Sequence, residues 1–266
     1  MSEINIEIDG GTSKRLLTAG KYCDRDIVIT ATGSGGASST NIDESEKPTT
    51  ETLLVSSAKL GHVSFPNATS IGDQAFYDCC LLTEVSFPKA TTIDFKAFHS
   101  CVSLTHIDIP MVTSIGENAF QNCASLTSIN FPAATSIGQG AFFRCPQLTD
   151  VVLPVATTIG NSAFILCESL THIDFPSATS IGGMTFEGCV NLTSVILRTT
   201  STVCVVSLNT FIDTPLMTGQ GHIYVPAEMY EYYRAGYEPV INELMPGFFD
   251  IMFRKIEDYP EICGTN

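Results

Sequence analysis

Apolar residues along the middle of this chain recur in columns rather than in runs. Pro66, Pro88, Pro110, Pro132, Pro154 and Pro176 stand 22 residues apart without a slip. The same interval links Ile71, Ile93, Ile115, Ile137, Ile159 and Ile181, and likewise Phe76, Phe98, Phe120, Phe142, Phe164 and Phe186. It also links Cys79, Cys101, Cys123, Cys145, Cys167 and Cys189, and the leucines from Leu60 to Leu192. A unit of 22 residues is too short to bury its own apolar face, so like units must stack until each column becomes an internal ladder. The pattern predicts a solenoid.

Within a unit, Leu126-Thr-Ser-Ile129-Asn-Phe131 alternates as a strand does, with Ile129 and Phe131 inward. The proline that follows has no N–H to continue a parallel ladder, so it ends each strand at the same place. Thr135-Ser-Ile137 predicts a second short extended piece, and Gln139 to Cys145 has room for only one or two helical or 3₁₀ turns. Gly72, Gly116, Gly138, Gly160 and Gly182 form a column whose one exception is Asp94. A left-handed backbone would explain it, since Asp is among the few other residues that tolerate positive φ. The expected fold is an α/β repeat solenoid of ~7 rungs, ~30 to 35 Å long at ~4.8 Å per rung.

The flanks read differently. Ile4, Ile6 and Ile8 alternate with polar residues, Asp9-Gly10-Gly11 predicts a turn, and Ile27-Val28-Ile29-Thr30 predicts a second strand. Gly33 to Thr40 is rich in Gly and Ser, and Asn41 to Thr50 carries three acids, a linker composition. The chain therefore divides into a small β module over 1–33, a flexible linker leading into the first rung over 34–59, the solenoid over 60–197, and a segment over 198–266 that leaves the strict repeat.

Composition narrows the function. Only 15% of residues are charged, 13 basic against 28 acidic for a net charge of −15, which argues against nucleic acid or an anionic membrane as partner. No apolar run approaches the ~20 residues of a membrane helix, and the charges scattered from Glu3 to Asp26 leave no core for a signal peptide.

The units, with their Ile-Gly, Ala-Phe, Cys and Leu-Thr-x-Ile-x-x-Pro elements, resemble the BspA-like or Treponema-type leucine-rich repeat family over Leu60 to Leu197. A looser likeness continues through Phe211, Thr214-Pro215 and Ile223-Tyr-Val-Pro226 to Tyr233. The resemblance implies bacterial surface display, a role in adhesion, and a terminal module over 198–266, an irregular last rung with a C-terminal cap in which a helix over Glu228 to Ala235 closes the core. Leu17 to Tyr22 and Asp26 to Thr30 resemble a small module of virion proteins from phages of Firmicutes, which implies the alternative of a structural or receptor-binding virion component.

Strand residues that point outward form two lines: His62, Glu84, His106, Ser128, Asp150, His172 and Ser194, and beside them Ser64, Ser86, Asp108, Asn130, Val152, Asp174 and Ile196. The units differ most here. Glu84, His106, Asp108, Asn130, Asp150, His172 and Asp174 are the expected ligand-binding set, for a protein or a glycan. His106 with Asp108, and Asp150 with His172 and Asp174, have the donor types of a transition-metal site, but a flat ladder splays side chains that would have to converge, so neither metal nor cofactor is expected. No nucleophile or phosphate-loop motif appears, so no enzyme is expected; a hydrolase would need a cleft in the irregular segment Arg198 to His222. The cysteine column predicts reduced, buried thiols, with Cys23, Cys80, Cys204 and Cys263 outside it.

Overall fold

The computed structural model describes residues 26–31, 51–56, 61–65, 68–244, 247 and 249–263. Strands β1 (Asp26–Ala31) and β2 (Glu51–Ser56) pair antiparallel, Asp26 opposite Ser56 and Ala31 opposite Glu51. The first contains the strand expected at Ile27–Thr30. The second falls at the expected entry to the first rung, just after the linker composition ends at Thr50, where Thr52, Leu53, Leu54 and Val55 supply an apolar and β-branched run. The strand expected over Ile4–Ile8, its turn and the Gly/Ser-rich stretch lie outside the described residues.

From His62 the chain coils. Each rung carries a three- or four-residue strand and then a two-residue one: β3 (His62–Ser64) with β4 (Ser70–Ile71), β5 (Glu84–Ser86) with β6 (Thr92–Ile93), and β7 (His106–Asp108) with β8 (Ser114–Ile115). The series continues with β9 (Ser128–Asn130) and β10 (Ser136–Ile137), β11 (Asp150–Val152) and β12 (Thr158–Ile159), β13 (His172–Phe175) and β14 (Ser180–Ile181), then β15 (Ser194–Leu197) and β16 (Val205–Val206). The two-residue strands form one unbroken parallel sheet of seven, with Ile137 between Ile115 and Ile159. Two threonine columns reinforce the stack; Thr135 Oγ1, for example, donates to the carbonyl oxygen of Thr113 at 3.1 Å.

The third side of the coil departs from expectation. Instead of a helical turn, it holds turns with left-handed residues at two fixed places per rung, such as Asn118 (φ 56°) and Asn122 (φ 61°), then Gly140 (φ 59°) and Arg144 (φ 57°). This alternation aims every second N–H at the next rung. Asn118 donates to the carbonyl of Gln139 at 2.8 Å, Phe120 to Ala141 at 2.7 Å and Asn122 to Phe143 at 2.8 Å. Non-glycine residues in that conformation are strained by about 1 kcal/mol or more each, and the inter-rung ladder holds them there.

The glycine column also needs correction: none of its members has positive φ. Its requirement is room. A Cβ on Gly138 would lie 2.6 Å from the carbonyl carbon of Gly116, and one on Gly160 would lie 2.6 Å from the amide nitrogen of Gln139. Asp94 occupies the same column, with its carboxyl pushed up by burial and by the nearby Asp73.

Inside, the columns are continuous. Phe98, Phe120, Phe142 and Phe164 stack face to face at centroid separations of 5.1, 5.4 and 5.2 Å. The cysteine column is free, buried and parallel, and from Cys101 to Cys189 each thiol donates to a carbonyl one rung back, as Cys145 Sγ does to Phe120 at 3.2 Å. Of the cysteines outside it, Cys204 is buried and free and Cys80 is disulfide-bonded.

The open end is closed by β17 (His222–Val225), α1 (Ala227–Leu244), α2 (Phe249–Met252), β18 (Phe253–Lys255) and α3 (Pro260–Cys263). The expected helix over Glu228–Ala235 is present and longer. Phe211 extends the phenylalanine stack by one ring, 5.8 Å from Phe186. β17 and then β18 add two further strands beside β15. Phe249 and Phe253, from a stretch that departs from the repeat pattern, stack at 4.6 Å beneath α1.

Candidate functional site

The three-residue strands present their first and last side chains outward, because the middle residue must enter the core. Glu84, Asp174 and their line-mates thus share one face. Glu84 sits between two histidines: Oε2 is 3.1 Å from His62 Nδ1 and Oε1 is 3.8 Å from His106 Nε2. The first approach is an ion pair when the ring is protonated but is out of line for a hydrogen bond. Ser86 Oγ donates to Asp108 Oδ2 at 2.9 Å, and Thr149 Oγ1 donates to Asp150 Oδ2 at 2.7 Å. His106, Asp108, Asn130 and Asp150 are exposed.

Asp174 is engaged differently. Arg198 Nε lies 3.1 and 2.9 Å from its two carboxylate oxygens and Nη2 lies 2.8 Å from Oδ2, a forked pair that reaches back one rung. Beside it the His172 imidazole is held below its usual pKa by partial burial and by Arg198, against an opposing pull from Asp174.

The expected face is shorter than its two lines suggested. Ser194 is buried, and so is Ile196, over which Ile256 and Tyr259 of the tail pack together with Tyr224 on the outward side of the sheet. The tail is latched by Glu257, whose Oε2 accepts the backbone N–H of Ala227 at 2.9 Å, the first residue of α1. The open face therefore runs from His62 to Asp174. In the irregular segment beyond it, Arg198 is committed to Asp174 and His222 Nδ1 lies 2.8 Å from the carbonyl oxygen of Ile251. Among the described residues no three His, Cys, Asp or Glu side chains are grouped to hold a metal.

The sheet itself is interrupted twice. It falls into β3-β5-β7, β9-β11 and β13-β15-β17-β18, with no ladder from β7 to β9 or from β11 to β13. Where the ladder is intact, Phe87 N–H donates to Asp108 and Phe131 N–H to Val152 at 2.8 and 3.1 Å; the equivalent bonds from Ile109 to Asn130 and from Leu153 to Asp174 are not made. Ile107 and Val151, the inward residues at the breaks, are half-buried, whereas Val85, Ile129 and Ile173 are fully buried. Both breaks follow rungs in which the strand-ending phenylalanine is replaced by an aliphatic residue, Ile109 or Leu153.

The break between β7 and β9 is a groove of about 290 Å³, lined by Thr105 to Pro110 together with Ser128, Asn130 and Pro132. It brings together three of the expected binding residues, His106, Asp108 and Asn130. Glu84 lies one rung before it, and Asp150, His172 and Asp174 lie around the second break. Leu197 is aliphatic at the same position and its ladder to β17 is intact, so the replacement by itself is not a sequence signal for a break.

The family of the BspA type leucine rich repeat region, a unit of six repeat copies, matches the chain over residues 52–164 and 91–217. Among solved structures, a leucine rich cell surface protein of Faecalibacterium prausnitzii is similar at 25% identity and a TM-score of 0.49, over 63% of this chain and 55% of that one. The chain thus spans little more than half of that protein. A leucine rich repeat protein of T. pallidum is 25% identical with a TM-score of 0.40, over 50% of this chain and 78% of that one. One from Bacteroides ovatus is 21% identical with a TM-score of 0.45, over 78% and 71%. No curated protein matches the chain. With the matched repeats covering more than half of its length, the chain belongs to the BspA-type leucine-rich repeat family.

Proposed function

We propose that this chain is a non-enzymatic binding module, and that its open sheet face from His62 to Asp174 holds a protein or glycan partner at a bacterial surface. The observation that carries the reading is the contrast between the two sides of one strand. Inward positions repeat from rung to rung, as packing demands; outward positions change at each rung, from Glu84 to His106 to Ser128 to Asp150 in one line. A solvated scaffold face would need no such variety, whereas a recognition surface assembled from stacked units draws its specificity from it. The acidic side chains of the face disfavour polyanionic partners.

The test is capture by the full chain on arrays of glycans and of surface proteins, repeated with Glu84, His106, Asp108, Asp150 and His172 changed together to Ser. Asp174 is left in place because it anchors Arg198. Loss of capture with an unchanged thermal melt supports the reading. Capture that survives all five changes moves the active surface elsewhere on the chain.

A further inference from the structure

We infer that the wedge between β7 and β9 is a sugar-binding subsite that takes a single neutral pyranose ring. This rests on the reading of the outward sheet face as the binding surface, and it assigns a ligand class to one place on that face.

The argument begins with the backbone. At this interface Ile109 N–H and Ser128 N–H, and the carbonyl oxygens of Thr105 and Asn130, lack the inter-strand bonds that their counterparts make in the intact rungs. They border a groove that also carries His106, Asp108, Ser128 and Asn130. Donors and acceptors are therefore interleaved along both walls. A ligand that satisfies them must itself donate and accept at closely spaced points, and adjacent sugar hydroxyls do both.

Charge and size narrow the class. No Lys or Arg lines the groove, and Asp108 projects into it with Oδ2 already accepting from Ser86, leaving Oδ1 to accept from a ligand. Phosphorylated, sulfated or carboxylated ligands would meet that carboxylate with no Lys or Arg to offset it. A volume of about 290 Å³ lies at the lower end of small-molecule pockets, which run from ~300 to 1,000 Å³. Pro110 and Pro132 offer apolar edges to the C–H side of a ring.

An added β-strand does not fit. It would need ~4.8 Å on each side, yet the other two sides of the coil remain bonded at this same interface. Ser136 and Ile137 of β10 pair with Ser114 and Ile115 of β8, and Phe120 N–H stays 2.7 Å from the carbonyl of Ala141. The break can open only as a wedge. Because no Phe, Tyr or Trp ring lines it, affinity for a single sugar should be weak, in about the millimolar range.

The experiment is saturation-transfer NMR on the full chain with the methyl pyranosides of glucose, galactose, mannose and N-acetylglucosamine, and with glucose 6-phosphate for comparison. Transfer to at least one neutral pyranoside and none to the phosphate is expected. Asp108→Asn and Asn130→Ala should each weaken the binding about tenfold or more, while Glu117→Gln on the turn side leaves it unchanged. Absence of transfer to every pyranoside overturns the proposal, as does sugar binding that ignores both groove variants. A peptide held through Asp108 and Asn130 with no sugar bound overturns the ligand class. Capture on the arrays that is lost with the five-residue change but is indifferent to Asp108→Asn and Asn130→Ala leaves the face reading standing and removes the subsite alone.

Discussion

The phenol oxygen of Tyr233 accepts the backbone N–H of Cys204 at 2.9 Å, and one helical turn on, Tyr237 accepts the N–H of Val206 at 2.7 Å. These are the edge groups of β16, the last strand of the seven-stranded sheet, where a further rung would have supplied carbonyls. The cap helix therefore ends the solenoid by two means at once. Its apolar side, with Met229, Tyr230, Tyr233 and Ile241, is buried in the common core, and its tyrosines satisfy an edge that would otherwise be buried without partners. Tyr233→Phe should cost about 1 to 3 kcal/mol, since both Tyr233 and Cys204 are wholly buried. Urea unfolding reads the difference; a loss below about 0.5 kcal/mol would mean the sheet edge finds another partner.

The thiol columns make stability depend on pH in one direction. Burial raises the pKa of Cys101, Cys145 and Cys167 well above the ordinary 9.0, and pushes Cys189 and Cys204 up to about 12. In the unfolded chain these thiols ionise near 9, so above that pH the unfolded state loses protons that the folded state retains. Stability should be flat with respect to these groups below about pH 8, then fall through pH 9 to 12 by up to ~1.4 kcal/mol per pH unit for each thiol. A thiol reagent added to the native protein at neutral pH should leave the column and Cys204 unmodified until denaturant is added. Rapid native labelling of Cys123 or Cys145 contradicts the packing.

Gly138 separates two reasons for a glycine column. If positive φ were the requirement, Asn would be tolerated there; the observed requirement is that rungs touch backbone to backbone, and Asn carries a Cβ as Ala does. Gly138→Asn and Gly138→Ala should therefore destabilise alike, by about 1 to 3 kcal/mol, as measured by thermal or urea unfolding. A neutral Asn variant would restore the left-handed explanation.

Those glycines show where the sequence was and was not legible. The columns, the strand that ends at each proline and the inward direction of Ile129 and Phe131 follow from spacing, because stacked identical units leave a residue no choice of side. The cause of the glycine column did not follow, since a tight backbone approach and a left-handed turn leave the same residue in the sequence. The left-handed positions fell instead on two turn columns in which Asn118, Asn122 and Gly140 carry the usual signature but Gln74, Lys96, Ser100, Arg144 and Leu166 do not, because the inter-rung ladder imposes the conformation on them. The outward set was legible as a face, but its extent was not. What hides Ile196 is a tail distant in sequence, and the groove beside Asp108 lies at a ladder break that the repeat spacing does not mark.

Phe142 tests whether the stack behaves as one core. Its ring lies between Phe120 and Phe164 at 5.4 and 5.2 Å, and all three are fully buried. Phe142→Ala removes a ring from the middle of a column whose neighbours are held by the seven-stranded sheet and by the turn-side ladder, so the cavity has little freedom to collapse. A cost of about 3 to 5 kcal/mol is expected. Because each rung touches only the next, weakening one interface can also divide the cooperative unit. The urea transition should then broaden, with a lower dependence on denaturant than in the parent protein, as the halves before and after Phe142 begin to unfold separately. Phe211→Ala, at the capped end of the same stack, removes a ring with a phenylalanine on one side only and should cost less while leaving the slope unchanged. Equal slopes and equal losses for the two variants would mean that the stack and its cap unfold as a single unit regardless of position.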